Sequence, residues 1–337
     1  MDKTSKQLLG AAAGIAAATA AVAGIEALSR LRWKRSGIAS AWAGYSRLTG
    51  SRKDILGQDL GRFDDYVERH RQENEQEYHI PGWLRLRSLV FEETVDGMKT
   101  FHLGTTGKNE RAVLYLHGGG YIGQIGPWQW LFADRVCQDS GAEVFVPIYP
   151  LAPAHDYDEA YSLLTDLYEG MVDRYGADNV TLVGDSAGGG LAAGLAESFG
   201  HYDLPQPGQL VLVSPELDLT MRNPEMHDYF DVDPTLAPWG LAQVGQLWSD
   251  GDDLSSFRLS PINGSVEGLR NVTTFVGTRE IFYPDCVKWD QMLELAGVSH
   301  ELVVGEGLNH EWPLCPIPEA RSAQRRIAEL VKAKVGR

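Results

Sequence analysis

Cysteine is scarce in this chain of 337 residues: only Cys137, Cys286 and Cys315 occur. Their number is odd, their spacing is wide and no CxxC pair exists, which argues against a disulfide framework or a zinc site. They read as small core residues. Positive charge is also in deficit: 30 Lys and Arg face 46 Asp and Glu, a formal net charge of −16. An acidic surface repels phosphate backbones and gains nothing from counterion release, so nucleic acid is not an expected partner. The bland reading of this acidity is solubility. No internal repeat is visible. The composition, 43% hydrophobic and 23% charged, is that of a globular protein able to build a large core without staples.

Long uncharged runs are confined to one place. Leu8 to Ile25 carries no charge and consists largely of Ala and Gly, with Lys3 and Lys6 before it and Arg30, Arg32, Lys34 and Arg35 after it. Its length approaches a membrane span, but its hydrophobicity is weak. Three readings stay open: a marginal membrane anchor, a signal peptide and an Ala-rich surface helix. The following basic residues favour retention of the rest of the chain on the cytoplasmic side. The expected location is therefore cytoplasmic, with anchoring at the inner membrane face as an option. Residues 1–36 form this segment, and 37–83 are expected to be amphipathic cap helices. Within them the charged run Arg69–Glu77 reads as a solvated helix face.

Regular alternation of strand and helix starts near Leu84. Leu84–Phe91 and Lys99–Leu103 read as strands around an Asp96-Gly97 turn. Ala112–Leu116, Glu143–Tyr149, Val180–Val183, Leu210–Ser214, Val272–Gly277 and His300–Val304 read as further strands, with Pro147 at a strand end. Ala160–Tyr175, Gly188–Phe199, Asp285–Ala296 and Glu319–Lys334 read as helices. This predicts an α/β class: a mostly parallel central sheet flanked by helices. Residues 84–337 then form one domain. Residues 221–257 interrupt the alternation and read as an insertion that packs with the N-terminal helices.

The chemistry concentrates in two glycine-rich motifs. Gly184-Asp185-Ser186-Ala187-Gly188-Gly189 follows a strand and opens a helix, the context of a nucleophile elbow. The sharp turn demands small residues around Ser186, whose hydroxyl meets the positive end of the helix. Asp185 reads as a structural residue holding nearby loops. His117-Gly118-Gly119-Gly120 follows the strand Ala112–Leu116. Its backbone N–H groups can face a cavity unobstructed, as an oxyanion site requires. Gly118, Gly119 and Ala187 are the candidate donors, and His117 shapes the loop.

Together these motifs resemble the hormone-sensitive-lipase-like esterases of the α/β-hydrolase fold, the bacterial acetyl esterase and carboxylesterase type. Tyr149-Pro150-Leu151-Ala152-Pro153, and Ser214-Pro215 followed by Asp218, are similar to further family segments. The resemblance runs from about Leu84 to the C-terminus. It implies an α/β-hydrolase fold with a helical cap, and a chain order of serine, acid, histidine. His310 lies in a loop after the last strand and before the last helix, so it is preferred as base over His300, which starts a strand. Glu280 fits the acid position, where many relatives carry aspartate; Asp285 remains an alternative. Trp128, Trp130, Trp239 and Trp248 are candidates for an acyl pocket or for plain core packing.

The resulting expectation is a serine carboxylesterase acting on short-chain acyl esters through an acyl-enzyme, with Ser186, Glu280 and His310 as the triad. The alternatives are a deacetylase or amidase on the same triad, or a ligand receptor of the same fold; the presence of His310 argues against the last. A small-molecule ester is the expected partner, with membrane association through the N-terminal segment as an option. No cofactor and no metal is expected.

Overall fold

The computed structural model describes residues 21–49, 58–104 and 109–333. Most of the apolar stretch Leu8–Ile25 lies outside the described residues; residues 21–33 are helical. Among the described residues, no helix is long and apolar enough to cross a membrane.

Among the described residues, eight strands form one sheet: β1 (Leu89–Val95), β2 (Met98–Gly104), β3 (Ala112–Leu116), β4 (Glu143–Pro147), β5 (Val180–Asp185), β6 (Gln209–Val213), β7 (Val272–Gly277) and β8 (His300–Gly305). The order across the sheet is β1-β2-β4-β3-β5-β6-β7-β8. The β1–β2 and β2–β4 pairs are antiparallel, and the remaining five are parallel. β3, β5, β6 and β7 are buried throughout. They consist almost wholly of apolar and small residues, as sheets covered on both faces require. Helices Tyr157–Tyr175, Ala187–Ser198 and Tyr283–Leu295 contribute to one core, and helices Pro127–Ser140 and Ala320–Lys332 to the other.

The first strand departs from expectation. It begins at Leu89, not Leu84, and extends to Val95. The buried Asp134 carboxylate accepts hydrogen bonds from the amides of Arg87 and Ser88, so these donors are spent before the ladder starts. Leu84 still packs in the core, from an irregular segment. Pro147 ends β4, where its missing N–H costs no ladder bond.

After the helical residues 21–33, the helices Gly37–Thr49 and Leu60–Asn74 lead into the sheet; the latter is the second of this pair. In the second, Phe63, Tyr66 and Val67 pack with Phe230, Ala237, Trp239 and Val244 of the mid-chain segment. The charged run after Arg69 is not wholly solvated: His70 faces a cavity, and the Asn74 amide donates to the Ile122 carbonyl.

The core supplies a test remote from any site. Phe199 is fully buried and stacks on Tyr168 at 4.0 Å between ring centroids. Phe199→Ala should destabilise the protein by about 3–5 kcal/mol. Urea unfolding should show a lower midpoint at unchanged slope; a loss below about 1 kcal/mol would refute this packing.

Candidate active site

At the end of β5 the chain reverses sharply into the helix Ala187–Ser198. Ser186 sits at the bend with φ 52° and ψ −121°, a conformation unfavourable to any residue with a side chain. The surroundings hold it there: the Ser186 amide donates to the Val213 carbonyl, and its own carbonyl accepts from Gly189, Gly190 and Glu216. A Cβ on Gly184 would lie 2.1 Å from the Gly188 carbonyl oxygen, so glycine is required there. The turn thereby presents the Ser186 hydroxyl to a cavity of about 420 Å³.

The imidazole of His310 comes from the loop after β8. Its Nε2 lies 3.0 Å from Ser186 Oγ, and its Nδ1 lies 2.7 Å from Glu280 Oε2. The other Glu280 oxygen accepts from the Ser214 hydroxyl and the Gly277 amide. Glu280 is fully buried, with both oxygens engaged. Asp285 is not in this array; its carboxylate accepts from the Asn223 side chain at 2.6 Å, and it occupies the first turn of the helix Tyr283–Leu295.

Burial by itself lowers the His310 pKa. The hydrogen bond to Glu280, the charge of Glu280, and the charges of Glu311 and Asp233 outweigh that effect and raise it to about 9. The linkage sign follows: a value above the ordinary one near 6.5 adds stability that is complete below pH 6.5 and lost as pH rises through about 9.

The glycine loop corrects one expectation. The Gly118 amide does not face the cavity as a free donor; it donates to Asp185 Oδ2 at 2.9 Å. The same carboxylate accepts from the Tyr115 hydroxyl and the Gln129 side chain. Asp185 therefore ties the glycine loop to β3 and to the helix Pro127–Ser140. Gly118 is spent in that bond and leaves the candidate oxyanion set. Among the described residues, the amides of Gly119 and Gly120 make no hydrogen bond, and both glycines line the cavity. Ala187 opens its helix, so its amide has no acceptor one turn back. Gly119, Gly120 and Ala187 are the free donors. The missed signal lay in Asp185: a buried carboxylate needs several donors, and the adjacent loop offers them. His117 is buried, stacks on Tyr149 and sits 2.9 Å from the Gly118 carbonyl, and Tyr149 donates to the His117 carbonyl.

Two further residues reach the site from outside these motifs. Arg35, buried, donates to the Gly307 carbonyl and the Asn309 side chain, bracing the histidine loop from behind. Asp233, fully buried, accepts from the amides of Thr235 and Leu236 with one oxygen and from that of Ile281 with the other. It joins the mid-chain segment to the residue following Glu280. Burial raises its pKa to about 6, against the opposing pull of the His310 charge and the three amides.

Of the four candidate tryptophans, only Trp128 lines the cavity. Trp130 and Trp248 are buried in the core, and Trp239 packs edge-on to Phe63. Trp42, Tyr66 and His70 from the N-terminal helices form another part of the wall, as do Leu236, Leu241 and Val244. Cys137 and Cys286 are buried as expected, whereas Cys315 lies on the cavity wall. Among the described residues no group of three or more His, Cys, Asp or Glu is arranged to hold a metal.

The histidine pair is directly measurable. An NMR titration should place the His310 ring near pKa 9. Glu280→Gln removes the charge that favours imidazolium and should lower that value, while Asp285→Asn should leave it in place. An unmoved ring in Glu280→Gln, or a moved one in Asp285→Asn, would reverse the assignment of the partner.

A profile of the alpha/beta hydrolase fold matches residues 113–314, which hold the glycine loop, the elbow, Glu280 and His310. An esterase of Acinetobacter venetianus is 28% identical over 222 residues, covering 64% of this chain and 73% of that protein. An ethyl acetate hydrolase of Pseudomonas putida is 29% identical over 212 residues, covering 60% and 65%. A triacylglycerol lipase of Mycobacterium tuberculosis is 27% identical over 222 residues; the match takes in 66% of this chain but only 46% of that protein. A solved structure from Staphylococcus aureus with a provisional esterase assignment superposes with a TM-score of 0.81 at 28% identity, covering 84% of this chain and 96% of that one. A homologue of hormone-sensitive lipase from a metagenome library shares the fold, with a TM-score of 0.75 at 22% identity, covering 88% and 99%. On the match to residues 113–314, with ester hydrolases among its relatives, this chain belongs to the α/β-hydrolase-fold family.

Proposed function

We propose that this protein is a serine carboxylesterase that hydrolyses short-chain acyl esters through an acyl-enzyme. One observation carries the reading: the chain Ser186 Oγ, His310 Nε2, His310 Nδ1, Glu280 Oε2, with heavy-atom separations of 3.0 and 2.7 Å, opening on a cavity that also holds free amides. A serine hydroxyl is a weak nucleophile and needs a base within hydrogen-bond reach. In the reactive form neutral His310 takes the hydroxyl proton as Ser186 attacks the ester carbonyl. Glu280 fixes the ring so that Nε2 faces the hydroxyl, and stabilises the imidazolium that forms. The carbonyl oxygen becomes an oxyanion received by the amides of Gly119, Gly120 and Ala187. Imidazolium then protonates the departing alkoxide, and water activated by the same ring cleaves the acyl-enzyme. The names of the Acinetobacter and Pseudomonas relatives support ester chemistry. A small soluble ester is the proposed partner.

Membrane anchoring through residues 8–25 remains part of the proposal for location. The basic residues that follow support cytoplasmic retention.

The triad is tested by non-additivity. Ser186→Ala and His310→Ala should each lower kcat by roughly four to six orders of magnitude, with the double variant hardly worse, because the two act as one unit. Additive losses would break the proposed unit.

Acyl length tests the substrate. Bulky walls from Trp42, Trp128 and Leu241 confine the cavity. Each methylene that fits gains only about 1–3 kcal/mol, and one that does not fit is penalised. Initial rates on p-nitrophenyl esters of two to sixteen carbons should peak between acetyl and hexanoyl. A maximum at twelve carbons or beyond would overturn the short-chain assignment and leave the triad standing.

A further inference from the structure

Beside the cavity that holds Ser186 lies a second groove of about 480 Å³. The two share Trp128, Leu314 and Cys315 as a common wall. Four arginines line the groove: Arg85 and Arg87 from the segment before β1, Arg135 from the helix Pro127–Ser140, and Arg321 from the helix Ala320–Lys332. Three separate elements thus deliver four cations to one concavity, in a chain whose net charge is −16. The lining contains a single acid, Asp134, and that carboxylate is already consumed by the amides of Arg87 and Ser88.

The guanidinium groups are largely uncommitted. Arg85 donates to the Gly82 carbonyl, and Arg135 meets Asp139 only at 3.9 Å. Among the described residues the side chains of Arg87 and Arg321 make no hydrogen bond or ion pair. Clustered like charges repel one another, so such a group gains from an anion that sits among them. Guanidinium suits carboxylate and phosphate oxygens in particular, through paired parallel hydrogen bonds. Exposed Ile38, Trp128 and Leu131 provide an apolar flank to the same groove. Its chemistry therefore fits an anionic oxygen group attached to a hydrocarbon portion.

We propose that the arginine-lined groove is an anion subsite, and that the preferred substrates are esters carrying a carboxylate or phosphate beside the scissile bond. The substrate half of this proposal rests on the esterase reading above. The ester carbonyl sits at Ser186 while the anionic group crosses the Trp128 wall into the arginines. The chemical step is unchanged; the groove contributes binding and orientation.

Two measurements separate the groove from the reaction. In the first, octyl phosphate, octanoate and octanol are titrated against the full chain below their aggregation limits, following tryptophan fluorescence. At low salt at least one of the two anions should bind about tenfold tighter than octanol, and the advantage should shrink as salt screens it. The double substitution Arg87→Glu and Arg321→Glu should abolish the preference. Octanol binding as tightly as both anions, or a preference that survives charge reversal, would overturn the subsite. The second measurement compares kcat/KM for p-nitrophenyl butyrate with that for the half-ester p-nitrophenyl hydrogen succinate. Charge reversal should cut the ratio of anionic to neutral turnover about tenfold; an unchanged ratio would overturn the substrate class. Absence of turnover on both esters in the unaltered protein would defeat the esterase reading and with it the substrate class, while the fluorescence titration would still decide the subsite.

Discussion

A buried carboxylate that must find donors organises this site. Asp185 is fully enclosed next to Ser186, where an unpaired charge would cost several kcal/mol. It collects the Tyr115 hydroxyl from β3, the Gly118 amide from the glycine loop and the Gln129 side chain from the following helix. Those three bonds set the loop against the end of β5. Once Gly118 is committed, the two amides that follow it are the ones left to face the cavity. The pair of free amides proposed to receive the oxyanion is thus a by-product of satisfying Asp185. The Glu311 carboxyl lies against the same group, and desolvation together with the Asp185 charge raises its pKa well above the ordinary carboxylate range.

A second network holds the histidine. Ser214 is its hub: its hydroxyl donates to Glu280 and accepts from the Glu311 amide, the residue directly after His310. The residue directly after β6 therefore holds both Glu280 and the far side of His310. Arg35 braces the same loop from the N-terminal segment, and Asp233 braces the acid's neighbour from the mid-chain segment. Each support arrives from a different part of the chain. The precision at Nε2 and Oγ is a property of the folded whole, since a short contact of this kind persists only when neighbours over-determine it.

Much of this was legible from residue order. β3 and β7 match their expected limits, because each is an apolar run bounded by charged or turn residues. The turn at Ser186 and the place of His310 beside it were legible for a different reason: the proposed chemistry needs a particular turn or loop, and glycine spacing records the turn. Gly118 was misread because the motif identifies which amides are unobstructed but not which are already bonded. That depends on Asp185, 67 residues away. The start of β1 was missed for the same kind of reason, as Asp134 takes the amides of Arg87 and Ser88 from 47 and 46 residues away. Arg35 and Asp233 carried no local signal at all. A charged residue in a polar stretch looks solvated until the fold buries it.

The division between legible and illegible parts follows a division of labour. Ser186, Glu280, His310 and the glycine loop all fall within residues 113–314, the stretch that matches the family. Part of the cavity wall does not: Trp42, Tyr66 and His70 come from helices that precede it. Bond-making atoms tolerate displacements of only a fraction of an ångström. A wall has looser demands, since many combinations of bulky side chains can exclude water and limit acyl length. Family membership consequently constrains the reaction far more tightly than the ester. The exposed arginines beside Trp128 belong to the second category, and three of the four, Arg85, Arg87 and Arg321, also lie outside the matched stretch. Substrate choice in this protein is therefore to be sought in elements that its relatives need not share.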